Sequence, residues 1–227
     1  MESLDLHKIG VRDINQYFHK ELPSNGIKEI EIINSAGEHN IAVGIETPCD
    51  IDIRGHAGYY VAGMNKNANI TVHGNAGPGA AENMMSGSVR IKGFASSAAG
   101  ASGHGGILVV EGDTSLRCGI SMKGIDIVIG GSVGNFSGFM AQAGRMVICG
   151  DAGEGLGDSL YEAVIYVKGA IKSLGADAQL EPMTESDYES VQELLDFSGF
   201  EHNPKDFKRV ASAKQLYNWN ADAEQEY

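Results

Sequence analysis

Apolar residues alternate with polar or small ones in short bursts that recur along most of the chain. Taking Gly55 as an origin, the residues four and two places before it are Ile51 and Ile53. The same two positions before Gly74, Gly93, Gly112, Gly131, Gly150 and Gly169 hold Ile70/Val72, Val89/Ile91, Leu108/Val110, Ile127/Ile129, Met146/Ile148 and Ile165/Val167. All fourteen are apolar and most are β-branched, the pattern of a half-buried strand that ends in a turn. The seven glycines stand 19 residues apart at every step. A fixed period of this length marks a repeat architecture.

Other positions keep the same phase. Two places after each origin stand Ala57, Ala76, Ala95, Thr114, Val133, Ala152 and Ile171, a small and mostly apolar row. Seven places after come Gly100, Gly119, Gly138 and Gly157, and thirteen after come Gly87, Gly106 and Gly144. A chain that turns several times in 19 residues needs positive φ or close backbone approach at its corners, and glycine supplies both. Equal phases then stack at about 4.8 Å, so seven coils extend about 34 Å. One coil cannot bury its apolar side alone, so stability grows by stacking neighbours.

These rows predict an all-β protein, a right-handed parallel β-helix of about 19 residues per coil with short helical caps at both ends. Left-handed hexapeptide solenoids place an aliphatic residue every six positions. Tyr59, Pro78, Ser97, Leu116, Asn135 and Glu154, four after each origin, break that rule. Three regions follow: an N-terminal helical cap at 1–27, the β-helix at 28–181, and a C-terminal helix with an extended tail at 182–227. In the first, Val11, Ile14, Tyr17, Phe18 and Leu22 share a helical stripe over Val11–Leu22, which Pro23 and Gly26 stop. A strand over Lys28–Ile33 leads into an irregular first coil. In the last, a helix is predicted over Glu185–Phe197, with Thr184 as N-cap answered by Asp187, and with Tyr188, Val191, Leu194 and Leu195 on one stripe. Phe207, Val210, Leu216, Tyr217 and Trp219 are anchors for the tail.

Composition narrows the function. Lys and Arg number 17 against 30 Asp and Glu, a net charge of −13. That acidity opposes binding to phosphate backbones or anionic membranes. No apolar run approaches the roughly 18 residues of a membrane span. The opening MESLDLHKIG lacks a basic stretch ahead of an apolar one, so a cytoplasmic location is expected. Cys49, Cys118 and Cys149 form no CxxC pair and read as reduced, buried thiols.

Catalytic chemistry is hard to find. None of His7, His19, His39, His56, His73, His104 and His202 forms HExxH, HxH or a His–carboxylate pair at ligand spacing. GHAGYYVAG and GDAGEGLG resemble GxGxxG only loosely, and no βαβ unit frames them. Asp113, Asp151, Glu154 and Asp158 are the acidic set to weigh as a glycosidase pair against a solvated face. No catalytic, cofactor or metal residue is assigned. One outward row, three before each origin, runs Asp52, Thr71, Arg90, Val109, Val128, Val147, Tyr166. Its apolar half, Val109, Val128, Val147 and Tyr166, is either covered by the chain's own terminal segments or a subunit interface. Met64, Met84 and Met85 join it as candidate contacts, with core filling as the alternative.

The loops between these rows carry a resemblance. HNIAVG, GHAGYYVAGMNK, AENMMSG, GGILVVEGD, RCGISMKG, FMAQAG, CGDAGEGLGDSLYEA, SLGAD and the tail SAKQLYNWN are similar to the GXGXG-domain family of glutamate synthases, nearest its small GXGXG subunit in N-methylglutamate synthase. The resemblance implies a structural subunit of a three-part enzyme. A glutamine-amidotransferase-like partner and an FMN synthase-like partner, the latter with FMN and an iron–sulfur cluster, carry the chemistry. The implied reaction converts L-glutamate and methylamine to N-methyl-L-glutamate and ammonia. The β-helix holds the partners together and helps shape an ammonia passage. The GXGXG subunit of glutamate synthase proper and a β-helical subunit of formylmethanofuran dehydrogenase are the alternatives.

Overall fold

The structure is a computed structural model and describes residues 2–215. It is a parallel β-solenoid of about seven turns, 19 residues to the turn, with few helices. The strands are β1 (Glu2–Asp5), β2 (Glu29–Ile33), β3 (Asp50–Ile53), β4 (Asn69–Val72), β5 (Ser88–Ile91), β6 (Ile107–Val110), β7 (Asp126–Ile129), β8 (Arg145–Ile148), β9 (Val164–Val167), β10 (Ala178–Glu181) and β11 (Lys208–Ser212). Helices α1 (Val11–Lys20) and α2 (Leu22–Asn25) precede the stack, and α3 (Glu185–Ser198) follows it.

Equal phases lie side by side. Ile51 pairs with Ile70, Ile70 with Val89, and so on to Ile165, while Ile53 heads the matching row that ends at Val167. All fourteen of these side chains are at most 1% exposed. Each contributes about 1.5–3 kcal/mol of burial. The small row forms a second ladder of parallel bridges from Ala57 through Thr114 to Ile171.

The origin glycines are needed for room. A Cβ at Gly74 lies 2.6 Å from Gly55 O, and one at Gly112 lies 2.9 Å from Gly93 O, distances that real Cβ atoms do not reach. Next to five of the seven origins, a polar side chain accepts the backbone N–H 19 residues on. His56 Nδ1 takes Asn75 N–H, Asp113 Oδ1 takes Ser132 N–H, and Asp151 Oδ1 takes Ala170 N–H. A Cβ on Gly131 meets that Asp113 oxygen and one on Gly169 meets Asp151. The glycine and the polar ladder beside it are one device.

The ends differ from expectation in three places. Residues 1–27 also supply a strand, because β1 pairs in parallel with β2 and opens the sheet. Pro23 does not stop a helix: it sits in the first turn of α2, where its missing N–H costs nothing. The tail does not run on alone, because β11 inserts antiparallel between β9 and β10. Ile14, Phe18 and Leu22 close the first coil. Phe207 and Val210 are buried as anchors, and Leu216, Tyr217 and Trp219 lie outside the described residues.

Helix α3 lies across β6–β9. Thr184 and Asp187 form a reciprocal capping box at its start, and Gly199 ends it at φ 75°. Its Val191, Leu194 and Leu195 bury against Val109, Val128, Val147 and Tyr166 together with Cys149 and Phe207.

Candidate functional site

The apolar row weighed as a subunit contact is used by the chain itself. Val109, Val128, Val147 and Tyr166 are at most 3% exposed beneath α3, so they offer no surface to a partner. Met84 is fully buried in the solenoid core. Met64 and Met85 are the two interface candidates on the surface, exposed by 52% and 43%.

Polar side chains fix α3 along its length. At its start, Asp187 accepts from Tyr166 Oη at 2.7 Å, Thr184 N–H at 2.8 Å and Arg209 Nε at 3.2 Å. Burial opposes the charged carboxyl, but the bonds from Tyr166 and Thr184 outweigh it and hold Asp187 below the usual carboxylate range. Burial, and then the bond to Asp187, push the Tyr166 phenol up. Midway, Arg145 bridges Asp126 on the sheet and Glu193 on the helix. At the far end, Arg90 Nη1 donates to Ser198 O at 3.1 Å, where a cation favourably meets the helix C-terminus. These groups serve attachment.

The histidines are dispersed. His39 Nδ1 accepts Tyr59 N–H at 2.9 Å, and His19 Nε2–H donates to Val43 O at 2.8 Å. His73 joins Asp52, at 2.5 Å, in a surface group that Arg54 links to Glu31. Lys168 donates to His202, and burial together with that cation lowers the imidazole's pKa. His56 belongs to the backbone ladder already described, and His104 is exposed. Among the described residues no three His, Cys, Asp or Glu side chains are placed to hold a metal ion.

The acidic set is equally scattered. Asp113 and Asp151 serve the backbone ladder, Glu154 pairs with Lys172 at 2.9 Å, and Asp158 accepts from Ser159 and Ala176. A cleft of about 350 Å³ lies between α1 and the first coils, lined by Phe18, His19, Val43, Glu46, Thr47 and Met64. Its ionic member Glu46 is bound to Lys66 at 2.6 Å. The three thiols are buried, and burial pushes Cys49 and Cys149 up to about 11 and Cys118 up to about 12, which keeps them protonated at neutral pH. Three such cysteines do not supply the four thiolates of an iron–sulfur cluster.

No protein-family profile matches the sequence. Protein GlxC of Rhizobium meliloti (strain 1021) is 48% identical over 223 residues, which is 98% of each chain. The chain belongs to the GlxC family. Because the likeness covers both proteins almost end to end, it includes the cap, the solenoid and α3 together. In this GlxC-family chain His56, Asp113 and Asp151 hold neighbouring coils in register, and Asp187 and Arg145 hold α3 on the sheet. Among the described residues, no helix is long and apolar enough to cross a membrane.

Proposed function

We propose that the chain is a scaffold subunit of a glutamate synthase-like complex, and within that class of an N-methylglutamate synthase. It holds an amidotransferase-like subunit and an FMN synthase-like subunit and helps form the passage for ammonia between them. The flavin and the iron–sulfur cluster belong to the synthase-like partner, and the assembly converts L-glutamate and methylamine to N-methyl-L-glutamate and ammonia. The observation that carries this reading is the coincidence of the GXGXG-like loops with a rigid solenoid. The motifs RCGISMKG and CGDAGEGLGDSLYEA form its corners, and their polar groups hydrogen-bond to neighbouring coils. A rod whose aliphatic ladders run its whole length suits a part that fixes the distance between others.

The test is reconstitution. Co-expressed with the two partner subunits, the chain is expected to purify in a complex containing FMN and iron that forms N-methylglutamate from methylamine. The isolated chain is expected to bind no flavin and to turn nothing over. Turnover by the isolated chain, or the absence of any complex, overturns the proposal.

A further inference from the structure

One flank of the solenoid is built almost without charge. Charged residues make up 21% of the chain, yet none lies between Arg54 and Lys66, between Lys92 and Glu111, or between Asp126 and Arg145. The stretch from Gly74 to Gly87 has Glu82 alone. That from Gly112 to Ile125 has Asp113, Arg117 and Lys123, and these four charges cancel. The net −13 therefore resides elsewhere on the molecule. Apart from β6 and the residues of β7, which two of them include, the five stretches are the parts of consecutive coils that leave the sheet, and backbone bonds stack them. Tyr60 N–H donates to Pro78 O, Gly79 to Ser97, Ala98 to Leu116, Arg117 to Asn135, and Phe136 to Glu154.

Large apolar side chains stand where the charges are missing. Tyr59, Tyr60, Met64, Phe94, Leu116 and Phe136 are each 43–52% exposed. Two are held in a backbone shape that disfavours any Cβ: Tyr60 has φ 60° and Phe136 φ 55°. At the same phase in the following coils stand Gly79 and Gly155, whose missing side chains leave the room that the two rings occupy. Glycine or asparagine at Tyr60 and Phe136 would relieve that backbone cost. Solvation is served better by polar groups. Depletion of charge with enrichment in aromatic residues and methionine is the composition of the centre of a protein–protein contact. Five stacked coils carry this composition over about 19 Å.

We infer that this flank seats a folded protein of a different kind, one that presents an uncharged apolar face. The inference rests on the scaffold reading and deepens it, because the occupant is a partner subunit of that complex. Charge argues against a second copy of this chain. Two copies bring −13 each to a contact that holds no net countercharge, whereas a partner without that excess meets no such repulsion.

The experiment co-expresses the chain with the amidotransferase-like and FMN synthase-like subunits and measures how much of each is recovered. The flank variant carries Tyr60→Asp, Leu116→Asp and Phe136→Asp; aspartate tolerates the left-handed backbone. A control adds the same charge at exposed sites elsewhere, with Gln16→Glu, Ser186→Asp and Gln215→Glu. The flank variant is expected to lose one partner at least tenfold, with the control at the wild-type level. Hydroxyl-radical labelling of the wild-type complex gives a second readout that needs no variant. Tyr60, Met64 and Phe136 are expected to be labelled several-fold less in the complex than in the isolated chain. Unchanged labelling, full recovery by the flank variant or equal loss in both variants overturns the inference. So does a dimer of the purified chain that the flank variant dissolves, which makes a second copy the occupant. A wild-type complex insensitive to the flank removes this assignment and leaves the scaffold reading standing. Failure of the wild-type chain to form any complex removes both.

Discussion

Two outward surfaces of the solenoid are apolar, and only one has a cover. On β6–β9, Val109, Val128, Val147 and Tyr166 stand at strand spacing and are sealed by α3. On the turn flank, Tyr60, Leu116 and Phe136 stay open. The covered surface is aliphatic, regular and ringed by ion pairs that fix its helix. The open one is aromatic, uneven and almost uncharged. A regular aliphatic ladder matches the stripe of a helix and is satisfied within the chain. A surface of mixed rings and small residues has no such complement among the described segments.

The contrast can be broken by carboxylates placed on each surface. Val128→Asp puts an unpaired charge in a fully buried site, and a loss of about 4 kcal/mol is expected in urea unfolding. Phe136→Asp should cost the isolated chain no more than about 0.5 kcal/mol. Equal costs at the two sites erase the distinction. The attachment of α3 gives a smaller effect. Asp187→Asn weakens the bonds from Tyr166 and Arg209 and is expected to cost about 2 kcal/mol at pH 7. Because the folded carboxyl lies below its unfolded value, its contribution is complete above about pH 4 and disappears as pH falls through the folded value. Urea titrations of wild type and variant should therefore converge in acid; a constant gap excludes the carboxylate as the source. A gain in stability is expected inside the coil that bears Leu116. Thr114 Oγ1 is buried without a conventional hydrogen-bond partner, although the Cys118 thiol lies close enough to interact weakly. Thr114→Val should raise stability by about 1 kcal/mol in the same assay.

The solenoid itself was legible because each coil repeats the same demand: two inward aliphatics, a glycine for room and a small residue after it. Residues that obey the period landed where it puts them. What lacked a period was harder to read. Pairing of β1 with β2, and of β11 with β9, joins segments whose separation follows no repeat, so neither leaves a trace in local pattern. The cover over Val109–Tyr166 stayed undecided for the same reason, since α3 is amphipathic whatever it packs on. Met84 was legible in principle. It shares its phase with Met122 and Leu160, both fully buried, whereas Met64 and Met85 sit one place to either side of that inward phase. The charge-poor flank was visible in the sequence as well. Its glycines and alanines look like turn-forming residues, and only the stacking of coils shows that the stretches form one surface.

The common register of the coils makes the length of the molecule a counted quantity. Inserting or deleting one 19-residue unit moves α1 relative to α3 by about 4.8 Å and leaves each internal ladder chemically unchanged. The separation of whatever is fastened at the two ends can thus be set only in whole steps, as on a notched rule, and never by gradual stretching.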